Sequence, residues 1–462
     1  MNFKKYIAPN GALFWPAVKL QIGRAYGANS EVMESFYRLI TIALPLAIVS
    51  ACLLGYVLHS QSGIFREFQA VLLSVQWMLM VCLAVWCSTF IVLTFSLNDL
   101  PFIGLLLIAI AAYFIGNIAS WQTADATILL AGITLGKGTR FALMEDGRWK
   151  MEDSGLVTFL VGLIVLLAFS SFWHLDMTNN YYHGPRWMGL WDNPNIYGML
   201  MGTGGTLAIG LLAANKKLKI KNVKFNRFLG IALFMMGVGL VMSYSRGAWV
   251  ATTMGLLYLA WSYGKLKWRW VLTVILVAAA VVCVFWHSTA DDGPWYLKRL
   301  DFSRPSAQHR VSAWRGAVQM MRDHPLGVGW NHAVETYDKN YSPPEDGAAA
   351  ITMNSYLMLG TELGLPGLLC FVSYVALALK QKSGVRSQKS ESFQQFGIRN
   401  SEFGIKTACR ASALVFLVAF WFDGGLFELP TAAVFWILLE LGAARGGKVE
   451  SGELMVDSPK VA

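Results

Sequence analysis

An all-α, polytopic membrane protein of about twelve transmembrane helices is the fold this sequence predicts, with one larger outer loop containing a short amphipathic helix. Three observations predict it. The 462 residues are 55% hydrophobic and 14% charged, with a mean hydropathy of +0.47, whereas soluble domains carry about 25% charged residues. Apolar runs near the ~20 residues needed to cross hydrocarbon recur along the whole length. Backbone polar groups in lipid must be paired within their own segment, so these runs are expected to be helices. They are too long for barrel strands, which need only about 10 alternating residues.

The first segment, 1–36, is charged, contains Pro16 and is expected to be cytoplasmic. It shows no apolar core followed by a cleavage site, so no removable signal peptide is expected. Residues 37–286 are expected to hold nine spans, with cores at 39–58, 71–94, 102–118, 124–135, 156–173, 196–213, 228–242, 248–261 and 271–286. The fourth core is short, and a re-entrant geometry is its alternative. An outer loop at 287–352 follows, then three spans within 353–445, with cores at 363–379, 411–422 and 432–441. Residues 446–462 are expected to form a cytoplasmic tail, disordered from 450, and the serine-rich stretch 388–406 a mobile cytoplasmic loop.

Orientation follows from the basic residues. Lys216, Lys217, Lys219, Lys221, Lys224 and Arg227 fill one loop, Lys265, Lys267 and Arg269 a second, and Lys380, Lys382, Arg386 and Lys389 a third. Placing these loops and the basic N-terminal segment in the cytoplasm puts both termini inside and leaves 174–195 and 287–352 outside. The net charge of +10 is thereby a matter of topology, and nucleic acid is not an expected partner. All seven histidines then fall at or beyond the outer ends of helices. The six cysteines lie in or beside apolar runs without metal-ligand spacing, so neither a metal site nor a disulfide framework is expected.

Within the outer loop, the stretch 306–315 opens a helix that Ser303 or Ser306 caps and Pro325 and Gly327 close. At about 100° per residue, Val311, Trp314, Val318 and Met321 share an arc of about 80°, edged by Arg310, Arg315 and Arg322. Such a stripe suits a helix lying at headgroup level. An ordinary helix packed on the bundle is the alternative, and the two are compatible.

Four constellations could carry chemistry. Ser243-Tyr244-Ser245-Arg246-Gly247 sets a guanidinium between two apolar runs. A cation at mid-membrane costs about 2.5–3.5 kcal/mol, so the residue is read either as an anion clamp or as a snorkelling anchor. An arginine fork suits a phosphate because it offers two parallel charge-assisted bonds. The second group is Arg310, Trp314 and Arg315, with His324 and His332 downstream. The third is Asn354-Ser355-Tyr356 with Glu362, a carboxylate in apolar surroundings for which Arg246 or Arg310 is the expected partner. The fourth runs from His183 to Asn195. Its tryptophans, Arg186, Asn193 and Asn195 suit either an interfacial belt or a sugar, since aromatic faces stack on C–H surfaces and amides bond hydroxyls.

Asn193-Pro194-Asn195, Ser245-Arg246-Gly247-Ala248-Trp249, Arg310-x-x-x-Trp314, His324-Pro325-Leu326-Gly327-x-Gly329 and Asn354-Ser355-Tyr356-Leu357-x(4)-Glu362-x-Gly364 occur in that order. The series resembles the O-antigen ligase and Wzy-type polymerase superfamily. The resemblance implies glycosyl transfer at the outer face of the bacterial inner membrane. The donor would be a glycan on undecaprenyl diphosphate, and the acceptor a saccharide, a lipid core or a protein. No cofactor is implied. Arg246 and Arg310 would correspond to the arginines thought to bind the diphosphate. Ligases of this family usually carry a histidine where Met353 stands, and a thioether cannot accept a proton. Glu362, His324 and His332 are then the nearest candidate bases, and the balance moves from ligase toward polymerase. The alternatives are a transporter or flippase for a lipid-linked or anionic substrate, and an inactive family member.

Overall fold

The computed structural model describes residues 99–115, 124–145, 148–149, 155–170, 186–189, 191, 193–218, 223–264, 305–342, 354–380 and 393–443. The spans expected at 39–58, 71–94 and 271–286 and residue Met353 lie outside them.

In chain order the helices are α1 (Leu100–Ile115), α2 (Ala124–Leu143), α3 (Gly155–Ser170), α4 (Pro194–Leu218), α5 (Val223–Met242), α6 (Arg246–Ser262), α7 (Pro305–Asp323), α8 (Ala333–Asn340), α9 (Ser355–Glu362), α10 (Gly364–Leu379), α11 (Phe393–Ala419) and α12 (Leu429–Ala443). A 3₁₀ turn at Gly425–Phe427 precedes α12. The described residues contain strand only in a hairpin of Met144–Glu145 with Arg148–Trp149, which follows α2. Among the described residues, that short hairpin aside, the all-helical expectation is borne out. Pro194–Ala214 and Lys224–Met242 are long and apolar enough to cross a membrane, and Leu100–Ala112, Leu156–Ser170, Gly364–Leu379 and Leu429–Ala443 are shorter apolar helices.

The core forms where α4, α6, α11, α12 and α2 pack in succession. Small residues allow the close approach, because association between apolar helices in lipid depends on van der Waals fit. A Cβ on Gly136 would collide with the Trp436 backbone, and one on Gly210 with Ala408. The outward face of α5 is the opposite case: Phe228, Ile231, Phe234 and Val241 are exposed.

Two boundaries differ from expectation. The short fourth core is the start of a full helix, Ala124–Leu143. Lys137 and Arg140 hid its second half from a hydropathy reading, but Lys137 is buried and paired within the bundle. The expected loop at 388–406 is helical from Phe393 onward, because α11 continues along α4, with Ile405 and Ala408 buried and Gly404 against Ala214.

The loop helix α7 is present, with its faces turned from the expected stripe. Ala313, Ala317, Met320 and Met321 are buried against Ala333, Tyr337 and Leu357, whereas Val311 and Val318 are exposed. Small side chains let α7 sit close, and the bulkier valines share the outward face with Arg315 and Arg322.

Candidate functional site

Arg246 opens α6. Ser245 is its N-cap in extended backbone, and Tyr244 before it has a left-handed φ of 47°. Segment 186–187 ties this turn down: the Trp187 amide donates to Met242 O at 3.0 Å and Arg186 Nε to Ser243 O at 2.9 Å. Gly198 on α4 lies against Ser243 and Ser245, so any side chain there would displace the turn. On the other side Gly247 abuts Phe422, where an added Cβ would approach the Phe422 Cβ to 2.9 Å.

Arg310 reaches the same place from α7. Its Nη1 donates to Phe422 O at 3.2 Å. The helices bearing Arg246 and Arg310 therefore converge on one turn, Trp421–Gly424, at the end of α11. The next residue, Asp423, was not singled out from the sequence. Its Oδ2 accepts from Asn195 Nδ2 at 2.9 Å, and Asn195 Oδ1 accepts from Arg186 Nη2 at 3.0 Å. Burial raises the Asp423 pKa; the Asn195 hydrogen bond, Arg310, the Gly424 amide and Arg186 all oppose that rise. The same test that drew attention to Arg246, a charge between two apolar runs, would have found Asp423.

The Asn354-Ser355-Tyr356 motif holds this turn. Asn354 caps α9 by accepting from Tyr356 N and Leu357 N at 3.0 and 3.1 Å. Ser355 donates its hydroxyl to Asp423 O at 2.9 Å and accepts from Leu426 N at 3.2 Å, while its own amide donates to Phe420 O. Tyr356 donates to Leu417 O at 2.6 Å. Asn354 and Tyr356, expected to bind substrate, make these positioning contacts in the structure. Asn193 is likewise a cap, accepting from Asn195 N at the start of α4.

Residues 231–372 match the protein-family model described as O-antigen ligase. This similarity agrees with the family that the motif order resembles. No curated protein matches the chain. The matched segment contains Arg246, Arg310 and Asn354, whereas Arg186, Asn195 and Asp423 lie on either side of it.

Several expected site residues stand away from this turn. Glu362 does not meet Arg246 or Arg310: its Oε1 accepts from the Asn331 amide at 3.3 Å, and its Oε2 has no hydrogen-bond partner. The reason is a backbone splice. Gly329 N donates to Glu362 O, Val328 N to Thr361 O and Leu365 N to Pro325 O, at 2.9–3.1 Å. Gly327 and Gly364 touch backbone to backbone with φ of 86° and 73°, a geometry glycine adopts without strain. The His-Pro-Leu-Gly-x-Gly motif therefore seats the loop on the α9–α10 junction. His324 is exposed beyond the far end of α7, about 20 Å along the helix from Arg310 at 1.5 Å per residue. His332 begins α8 beside the splice, and Arg315 is exposed on the outward face of α7. Arg186 is buried and braces the Arg246 turn; Trp191 is buried and the partly buried Trp187 packs on the core.

Proposed function

We propose that this chain is an integral-membrane glycosyltransferase that transfers or polymerises a glycan carried on undecaprenyl diphosphate, at the outer face of the bacterial inner membrane. About twelve spans with both termini cytoplasmic would put the Trp421–Gly424 turn outside. One observation supports the reading: the start of α6, which bears Arg246, and Arg310 of α7 both meet the turn at Phe422, which also carries a buried carboxylate, Asp423.

In the proposed step the acceptor hydroxyl oxygen attacks the anomeric carbon of the donor. The bond from that carbon to the phosphate oxygen breaks, and its electron pair leaves with undecaprenyl diphosphate. Arg246 and Arg310 stabilise the charge gathering there, which pre-aimed donors do without reorganisation. The hydroxyl proton passes to Asp423, whose burial makes it a stronger base than an exposed aspartate. This assignment suits a chain with Met353 where ligases carry histidine.

R246A and R310A, made separately in the full chain, should each lower polymer or ligated product by about 10²-fold at equal membrane protein level, the scale of losing one charge-stabilising donor. Product formation at the wild-type rate in either variant would overturn the reading.

A further inference from the structure

We infer that Trp421, backed by Trp314, is a stacking platform for a pyranose ring of the glycan next to the diphosphate. The inference rests on the glycosyl-transfer reading and adds a subsite to it. Trp421 directly precedes Phe422, whose carbonyl holds Arg310, and Asp423 follows. A sugar joined to a phosphate held at Arg310 would lie within one residue's reach of this ring.

The ring is fixed before any ligand arrives. Trp314 meets it edge-on at 5.7 Å and 65°, and Tyr356 lies at 5.8 Å and 44°. Tyr356 is itself locked through its hydroxyl to Leu417 O. Despite these neighbours Trp421 is 46% exposed, so a large part of its surface is open. Rigid aromatic surface beside a few convergent polar groups is what a ligand site for a largely C–H-faced, hydroxyl-edged ring requires. The neighbours also argue against a membrane-belt role. Belt tryptophans face lipid, whereas this one packs between α7 and α9, next to the arginine and carboxylate. Trp314 adds a second signal: its indole N–H is buried without a hydrogen-bond partner, a donor that a nearby ligand oxygen would satisfy.

Trp421→Leu keeps apolar bulk and removes the aromatic face, while Trp421→Phe keeps a face. Binding to the purified full chain is measured with two probes: sugar-free undecaprenyl diphosphate, and the glycan-bearing lipid extracted from host membranes lacking this protein. W421L should weaken the glycan-bearing probe by about tenfold, W421F by less than about threefold, and neither should change the sugar-free probe. R310A should weaken both probes. Equal losses of both probes in W421L would mark a lipid-facing or structural tryptophan and overturn the inference, as would no loss of either. Those outcomes leave the transfer reading standing, because that reading is tested by product formation in R246A and R310A.

Discussion

Asp423 sits where two opposing demands meet. Burial disfavours its charge, and two arginines together with an amide side chain favour it. A carboxylate poised this way can take a proton, and it also sets the field felt by a diphosphate nearby. The two roles separate in D423N, which is nearly isosteric and keeps hydrogen-bonding capacity toward Asn195. Turnover should fall by about 10²-fold, the scale of losing a general base. Affinity for undecaprenyl diphosphate should hold or rise, because a negative charge beside the phosphates has gone. Unchanged turnover would remove Asp423 from the chemistry, and lost affinity would make it a structural brace. Arg246 and Arg310 were legible in the sequence because a cation among apolar residues invites the question of its anion. Asp423 raises the same question, yet no motif flagged it. Glu362 raised it too, and its partner was misjudged because a one-dimensional reading cannot tell which helix ends meet.

Among the elements, α2 shows how a buried charge can be structural. Lys137 Nζ lies 3.0 Å from Asp99 Oδ1 and 3.0 Å from Glu440 Oε1, and it donates to the Tyr374 hydroxyl at 2.6 Å. Arg140 Nη1 reaches the other Glu440 oxygen at 3.0 Å, and Tyr374 donates to Glu440. The Phe102 ring adds a cation–π contact at 4.7 Å. The cluster joins α1, α2, α10 and α12 on the side of the bundle away from the candidate site. Asp125 to Lys137 spans about 18 Å of helix at 1.5 Å per residue. Hydropathy alone shortened this helix because it scores Lys137 as exposed; the pairing that makes burial affordable is a tertiary fact. Replacing one member strands the rest, which typically costs about 3–5 kcal/mol. K137M should therefore lower thermal stability in detergent markedly, whereas D99L/K137M, which leaves Glu440 with Arg140, should recover most of the loss. Additive losses in the double variant would show that the cluster does not act as a unit.

For the molecule as a whole, the end that gathers the arginines also gathers acids. Glu428 lies between α11 and α12, and its pKa is pushed up to about 7, by burial first, then by Asp423 and Asp125. The packing that sets Arg310 at the Asp423 turn therefore also stores a charge conflict between that turn and Glu428, and the chain can relieve it by keeping Glu428 protonated. The direction of the pH effect follows from proton counting. An unfolded glutamate ionises near 4.5, so between that pH and about 7 the folded protein holds a proton the unfolded chain has released. Folding stability then falls as pH rises through this window and levels off above it. E428Q removes the ionising group and with it the slope. At pH 4.5 the variant and the parent should melt together. At pH 8 the variant should be more stable by about 1–3 kcal/mol, one pKa unit being worth about 1.4 kcal/mol. Melting curves of the full chain across that range decide it: a difference that does not change with pH would mean that Glu428 acts through packing and that the acids at this end do not oppose one another.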